Sequence, residues 1–236
     1  MKIAVWSGPR NLSTALMYSF ANRADFTVMD EPFYAPYLAS TGLKHPMSDE
    51  ILAIHETDAE QVAVVCANDG EKPHKYMKHM PHHMLDGFPL DWTKACVNIH
   101  LIRHPARVIA SYAIKRENPT LEDIGYPQQL ALYDRIGGLV VDSSNIRQDP
   151  EHTLKNLCAE IGISFDRAML SWPVGPRTFD GIWGSHWYRA VHQSTSFMDS
   201  ENDLPVLSGK HISLCTQAMP YYLALVGKIK KVKKLL

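Results

Sequence analysis

"KIAVWSGPRNLSTALMYSF", Lys2 to Phe20, joins two segments of different period. Lys2-Ile3-Ala4-Val5-Trp6 is a short apolar run suited to a buried strand. Leu12, Leu16 and Phe20 then recur at helical spacing, over a helix of about Asn11 to Asn22. Ser7-Gly8-Pro9-Arg10 forms the turn between them. A strand that runs straight into a helix leaves the first helical N–H groups unpaired, at the positive end of the helix dipole, where an anion is favoured. Arg10 adds a forked cation to that turn, and Ser13 and Thr14 add hydroxyl donors. A plainer reading has Ser13 or Asn11 capping the helix and Arg10 facing solvent. The G-x-x-x-x-G-K-[ST] pattern of an ATP-type phosphate loop is absent.

The same alternation recurs along the chain. Phe26–Asp30 reads as a second strand, and Lys75–His79 as a further, more polar one. Val97–Ile102 is a strand that ends at Arg103-His104. Pro105 suits a first helical turn, and Val108, Ile109 and Tyr112 give the helix after it an apolar face. Leu139–Asp142 is another strand, and Asp149-Pro150 starts a helix that Leu154, Leu157, Cys158 and Ile161 carry to a stop at Gly162. Strands alternating with helices predict an α/β fold of three layers, a mostly parallel sheet flanked by helices, with ligands beyond the carboxyl ends of the strands. One domain over 1–236 is expected. Trp172, Pro173, Pro176, Trp183, Trp187 and Tyr188 punctuate 171–207, which reads as a long, specifically folded loop. Lys228, Lys230, Lys231, Lys233 and Lys234 read as the solvated end of a helix.

Lys plus Arg (24) nearly balance Asp plus Glu (25), so the overall charge points to neither nucleic acid nor an anionic membrane, and any anion site must be local. Cys66, Cys96, Cys158 and Cys215 form no C-x-x-C, which argues against a disulfide framework or zinc site and fits a reducing compartment. The apolar N-terminal run is too short for a secretory signal, and no segment reaches the roughly 20 apolar residues of a membrane span. The expectation is a cytoplasmic protein without stable membrane insertion.

Arg103 ends a strand, and Ser111, eight residues on, lies about two turns into the next helix, so the two could hold a second phosphate. Here the chain resembles a family. "HLIRHPARVIASY" resembles the R-x-P-x-x-x-x-x-S segment of sulfotransferases that use 3′-phosphoadenosine 5′-phosphosulfate (PAPS). The resemblance implies that Arg103 and Ser111 hold the 3′-phosphate. "SGPRNLST" resembles that family's 5′-phosphosulfate loop in its arginine-bearing form. It assigns Gly8, Pro9, Arg10, Asn11, Leu12, Ser13 and Thr14 to the donor, with Asn11 and Leu12 standing where Ser and Gly are usual. "YMKHMPHHM" resembles the K-T-H-L-P segment through Lys78, His79 and Pro81. "VVDSSNIRQDPEHTLKNLCAEIGI" is similar to the strand and capped helix that follow. "VGPRTFDGIWGSHW" resembles the late R-K-G-x-x-G loop over the nucleotide through Arg177 and Gly181. The implied protein has a P-loop NTPase-like sulfotransferase fold, PAPS as donor, no metal, and a small-molecule hydroxyl or amine as acceptor. A homodimer is left open.

Sulfuryl transfer needs a base for the acceptor proton and cations for the transferring and leaving oxygens. Glu31 resembles the base of bacterial and carbohydrate-type members and His79 that of the cytosolic type. Both stay open, with the arginine-bearing loop favouring Glu31. Lys78 and Arg10 are the implied electrophilic partners. Phe33, Tyr34, Tyr37, Trp183 and Trp187 are candidate walls of the acceptor site. His79, His82 and His83 are considered as a metal set, which Pro81 interrupts. Two other readings remain. A P-loop kinase or NTPase could use Asp30 or Asp142, each at a strand end, for Mg²⁺. A nucleotide-binding module of the same fold could have lost activity through Asn11-Leu12.

Overall fold

A computed structural model describes residues 1–114, 118–197, 200–201 and 203–229. Five strands, β1 (Lys2–Ser7), β2 (Phe26–Asp30), β3 (His74–His79), β4 (Cys96–Ile102) and β5 (Leu139–Asp142), pair in the order β2-β3-β1-β4-β5. Every pairing is parallel, with Trp6 of β1 opposite His79 on one side and His100 on the other. β1, the strand of the opening motif, is therefore central.

Its alternation sends side chains to two cores. Ile3 and Val5 face one layer, where Leu16 and Phe20 of α1 (Ser13–Ala21) pack with Leu154, Leu157 and Ile161 of the helix after β5. Ala4 and Trp6 face the other, against residues such as Val62, Cys66 and Leu132. Both sets are fully or nearly fully buried, and each buried aliphatic side chain contributes about 1.5–3 kcal/mol. The result is the three-layer α/β fold the strand–helix alternation predicts.

Between β2 and β3 lie three helices that apolar spacing does not reveal: α2 (Tyr34–Thr41), α3 (Ser48–Ile54) and α4 (Ala59–Ala67). β3 is polar in sequence yet buried, because its lysines find partners inside. Lys75 donates to the carbonyls of Val65 (2.7 Å) and Asn68 (3.1 Å) at the end of α4, and Lys78 reaches carboxylates at the sheet's edge. Beyond β4 come α5 (Pro105–Ala113), α6 (Leu121–Ile124) and α7 (Tyr126–Ile136). Beyond β5 come α8 (Ser143–Gln148) and α9 (Pro150–Ile161), the latter capped by Asp149 and closed by Gly162 at φ 80°. The long loop contains α10 (Gly184–Trp187) and α11 (Arg189–His192), and α12 (Lys210–Val226) ends the described chain. All four cysteines are free. Of the tail lysines, Lys230, Lys231, Lys233 and Lys234 lie outside the described residues.

Candidate functional site

The carboxyl ends of β1 to β4 deliver Pro9, Glu31, Met80 and Arg103 to the wall of one cavity of about 780 Å³. Two clusters of charge line it.

The first grows from the turn after β1. Gly8 donates its N–H to Gln129 Oε1 (3.2 Å), and Gln129 Nε2 donates to the carbonyls of Trp6 and Leu101, so one buried amide on α7 fastens the turn. A Cβ on Gly8 would come within 2.7 Å of the Ile124 carbonyl oxygen, which explains the glycine. Arg10 and Leu12 then adopt φ of 62° and 71°. Leu12 takes the left-handed backbone that glycine would supply at the position, at a cost of about 1–2 kcal/mol. No side chain caps α1, so the capping reading does not hold. Asn11 instead donates to the Leu101 carbonyl (3.3 Å), and its Oδ1 is buried with no partner among the described residues. Arg10 donates through Nε to Ser111 Oγ (2.9 Å), and Arg103 donates through Nη1 to the Arg10 carbonyl (2.7 Å). The two segments read as separate phosphate holders thus form one corner. Burial, then the charge of Arg103, lowers the Arg10 pKa from its ordinary value. Arg147 joins the same wall from α8.

The second cluster is anionic at its rim and cationic at its heart. Lys78 donates to Asp30 Oδ1 (3.0 Å), to Glu31 Oε1 and to the Tyr188 hydroxyl (2.7 Å), all buried. Tyr188 also lies within 2.8 Å of Asp30 Oδ2 and accepts from Trp183 Nε1 (3.0 Å). Glu31 sits at φ 45°, held by its N–H to the Lys78 carbonyl (2.9 Å). Burial raises the Glu31 carboxyl above the usual range against the pull of Lys78. Lys78, though burial opposes its charge, is held above its ordinary value by Asp30 and Glu31. His83 stacks between Tyr34 (4.5 Å, 7°) and Tyr37 (4.8 Å, 28°), with Nδ1 3.9 Å from Glu31 Oε2. Burial drives its pKa well down, so the ring is neutral.

Pro9, Arg10, Asn11, Leu12, Ser13, Thr14, Glu31, Lys78, Arg103 and Ser111 all line the cavity, and Gly8 stands behind them. His79 does not. It stacks on Trp6 (4.4 Å, 23°), is 1% exposed, and neither ring nitrogen has a partner among the described residues. Successive strand residues face opposite sides, so Lys78 and His79 do not share one, and burial pushes His79 down to about 3. Arg177 and Gly181 also stay outside. Arg177 lies 5.6 Å from the Tyr18 ring centre and donates to Pro173, while Gly181 abuts the Trp183 ring and donates to Asp30 Oδ2 (3.1 Å). Trp187, Tyr188, Val191 and Ser194, farther along the loop, supply that wall instead. Of the expected acceptor aromatics, Tyr34 and Trp187 line the cavity; Phe33, Tyr37 and Trp183 pack behind it. Asp30 is paired as above, and Asp142 caps α8 through Ser144 and accepts from Tyr222 (2.8 Å), so neither strand-end aspartate is free for Mg²⁺. Among the described residues no group of three or more His, Cys, Asp or Glu could hold a metal ion.

The sequence reading singled out neither Arg147 nor Gln129, took Tyr188 only as punctuation of the long loop, and took His83 only as a metal candidate. Arg147 lies in the quoted "SSNIRQDP" and follows a strand end, which was a usable signal. Tyr188 and Gln129 carry no local pattern, because Lys78 and Trp6, which they bond, lie more than a hundred positions away.

Known proteins are similar to this chain in sequence and in fold. The sequence profile of the sulfotransferase domain covers residues 1–229. Two proteins of Arabidopsis thaliana, branched-chain-amino-acid aminotransferase-like proteins 1 and 2, are 35% and 34% identical over 98% and 93% of this chain. The chain spans only about two fifths of their length, 42% and 40%. Two solved structures share the fold. The sulfotransferase domain of the curacin biosynthetic pathway has a TM-score of 0.55 at 14% identity, covering 97% of this chain and 98% of its own. The sulfotransferase domain of the Synechococcus PCC 7002 olefin synthase has 0.52 at 18%, covering 92% and 94%. With that profile running through the opening turn, the arginine–serine helix and the loop that supplies Tyr188, the chain belongs to the sulfotransferase domain family.

Proposed function

We propose that this chain moves a sulfuryl group from PAPS to a hydroxyl or amine of a small molecule, and that residues 1–236 act as one domain. The observation that carries the reading is a single cavity with Arg10, Arg103 and Ser111 in one corner and the buried Glu31–Lys78 pair also on its wall. The donor, when bound, supplies an activated sulfuryl group. The residues fit it, since Arg103 Nε is a buried donor without a hydrogen-bond partner among the described residues beside the opening turn. Arg103 and Ser111 would hold the 3′-phosphate, and Arg10 with the start of α1 the 5′ end.

Glu31 is the base in this reading. Its Oε1 is taken by Lys78, and its Oε2 stands 3.9 Å from His83 Nδ1, too far to bond yet close enough for one acceptor oxygen to touch both. The acceptor proton passes to Oε2, while neutral His83 orients the oxygen. A carboxyl raised by burial is a better proton acceptor near neutral pH than an ordinary one. Lys78 and Arg10 provide cations for the developing charge. Tyr34, Pro46, Met80 and Trp187 wall the acceptor space.

The test is calorimetric titration with adenosine 3′,5′-bisphosphate, 5′-AMP and ADP, with and without Mg²⁺. Metal-independent preference for the bisphosphate is expected. Binding of ADP alone, and only with Mg²⁺, would overturn the reading in favour of a kinase-like protein. Bisphosphate binding with no transfer from PAPS to any acceptor screened would favour an inactive module.

A further inference from the structure

The arginine corner already holds an anion. Glu201, its side chain 4% exposed, accepts through Oε1 from Arg103 and from Arg147 (2.7 Å), and its Oε2 forms an ion pair with Arg107 Nε (3.0 Å). Burial by itself would raise that carboxyl; the hydrogen bond and charge of Arg103, with Arg147 and Arg107, hold it below the usual range. The motif residues are spent on internal contacts as well, Arg103 Nη1 on the Arg10 carbonyl and Arg10 Nε on Ser111. Three guanidiniums from α5, α8 and the end of β4 thus close around one carboxylate.

A phosphate monoester carries close to two negative charges and three acceptor oxygens, which suits three arginines better than a single carboxylate does. The two anions cannot share the clamp, because like charges at such distances repel strongly in a partly buried site. We propose that Glu201 is a resident anion, displaced from Arg103, Arg107 and Arg147 by the donor's 3′-phosphate, so that the clamp rewards only nucleotides carrying that group. The inference rests on the donor reading above and adds Arg107, Arg147 and Glu201 to it. A nucleotide without the 3′-phosphate leaves Glu201 in place and gains nothing from the clamp. Glu201 thus keeps the three arginines paired until a 3′-phosphate replaces it, and that exchange takes back part of the bisphosphate's affinity.

The experiment titrates wild type and Glu201→Gln with adenosine 3′,5′-bisphosphate and with 5′-AMP at fixed ionic strength. The variant is expected to bind the bisphosphate roughly tenfold more tightly, the effect of one charge-assisted hydrogen bond no longer to be broken, with 5′-AMP affinity unchanged. Unchanged or weaker bisphosphate binding would overturn the displacement. Glu201→Asp, which keeps the charge on a shorter arm, is expected to give a smaller gain and carries the same test if circular dichroism finds the Gln variant unfolded. A wild type that binds the bisphosphate no better than 5′-AMP overturns the donor reading itself, and this inference with it. Preference in the wild type without gain in either variant overturns the displacement alone.

Discussion

The two clusters on the cavity wall are near mirror images in charge. In one, three guanidiniums surround one carboxylate; in the other, two carboxylates and a phenol surround one ammonium. The first has surplus positive charge and suits a polyanionic donor. The second has surplus negative charge, which suits removal of an acceptor proton. They differ in origin too. Arg10 and Arg103 each stand at a strand–helix junction and Ser111 about two turns into the helix after β4, so local chain geometry delivers them. Lys78 owes its setting to Tyr188, 110 positions away. The lesson is that an anion site can be built from turns, whereas a buried proton-transfer site needs partners that only packing brings.

The sharpest way to break the comparison is Glu31→Gln. If proton removal belongs to the second cluster alone, transfer of radiolabelled sulfuryl from PAPS to an acceptor used by the wild type falls roughly a hundred- to ten-thousandfold, while calorimetric affinity for the bisphosphate holds. Equal loss of both would erase the division of labour.

Lys78→Met tests whether the second cluster is also structural. It strands Asp30 and Glu31 in the interior, and uncompensated buried charge costs about 3–5 kcal/mol, read as a lower urea midpoint. A variant as stable as wild type would mean that the two carboxyls take up protons with little penalty.

Arg103→Ala addresses the first cluster. Bisphosphate affinity should drop by about ten- to a hundredfold, since a hydrogen bond to a charged group is worth about 1.5–3 kcal/mol, with 5′-AMP barely affected. A parallel loss for 5′-AMP would show that Arg103 acts by holding the Arg10 carbonyl rather than by binding the phosphate.

Acid sharpens the contrast from the side of the imidazoles. His79 and His83 are buried with pKa values lowered, His79 to about 3, so the unfolded chain binds protons near pH 6.5 that the folded chain refuses. Stability should be full above that pH and fall as pH drops from 6.5 towards 5, by up to about 2 kcal/mol per histidine. Thermal melts across that range check it, and a flat profile would place both rings in contact with water.

The smallest effect is expected from His79→Phe. Because the ring stacks behind Trp6 and away from the cavity, turnover should stay at the wild-type level and stability change by no more than about 1.5 kcal/mol, as for a volume-conserving core swap. A large loss of turnover would return His79 to the reacting centre.

Local rules carried the fold far. Apolar spacing, which reports burial directly, identified four of the five strands clearly, and β3 only as a more polar candidate over Lys75–His79. It missed α2, α3 and α4, helices of 8, 7 and 9 residues that bury too few apolar side chains for a helical period to show. The resemblance of motifs named residues of the opening turn and of the arginine–serine segment that the structure brings to one cavity wall. It misled at His79 and at Arg177-Gly181, where a matching letter says nothing of which way a side chain turns.

What the amino-acid order determines by itself is the set of turns: Gly8-Pro9 between strand and helix, an arginine after β1 and after β4, and a hydroxyl two helical turns on. Those depend on short-range sterics and periodicity, which act within a few residues. Packing alone decided that Leu12 would accept a left-handed backbone, that Lys78 rather than His79 would face the cavity, and that Glu201 would settle among three arginines. Each of these sets a local cost of strain or buried charge against contacts made by residues distant in the chain, and such a balance exists only once the chain is folded.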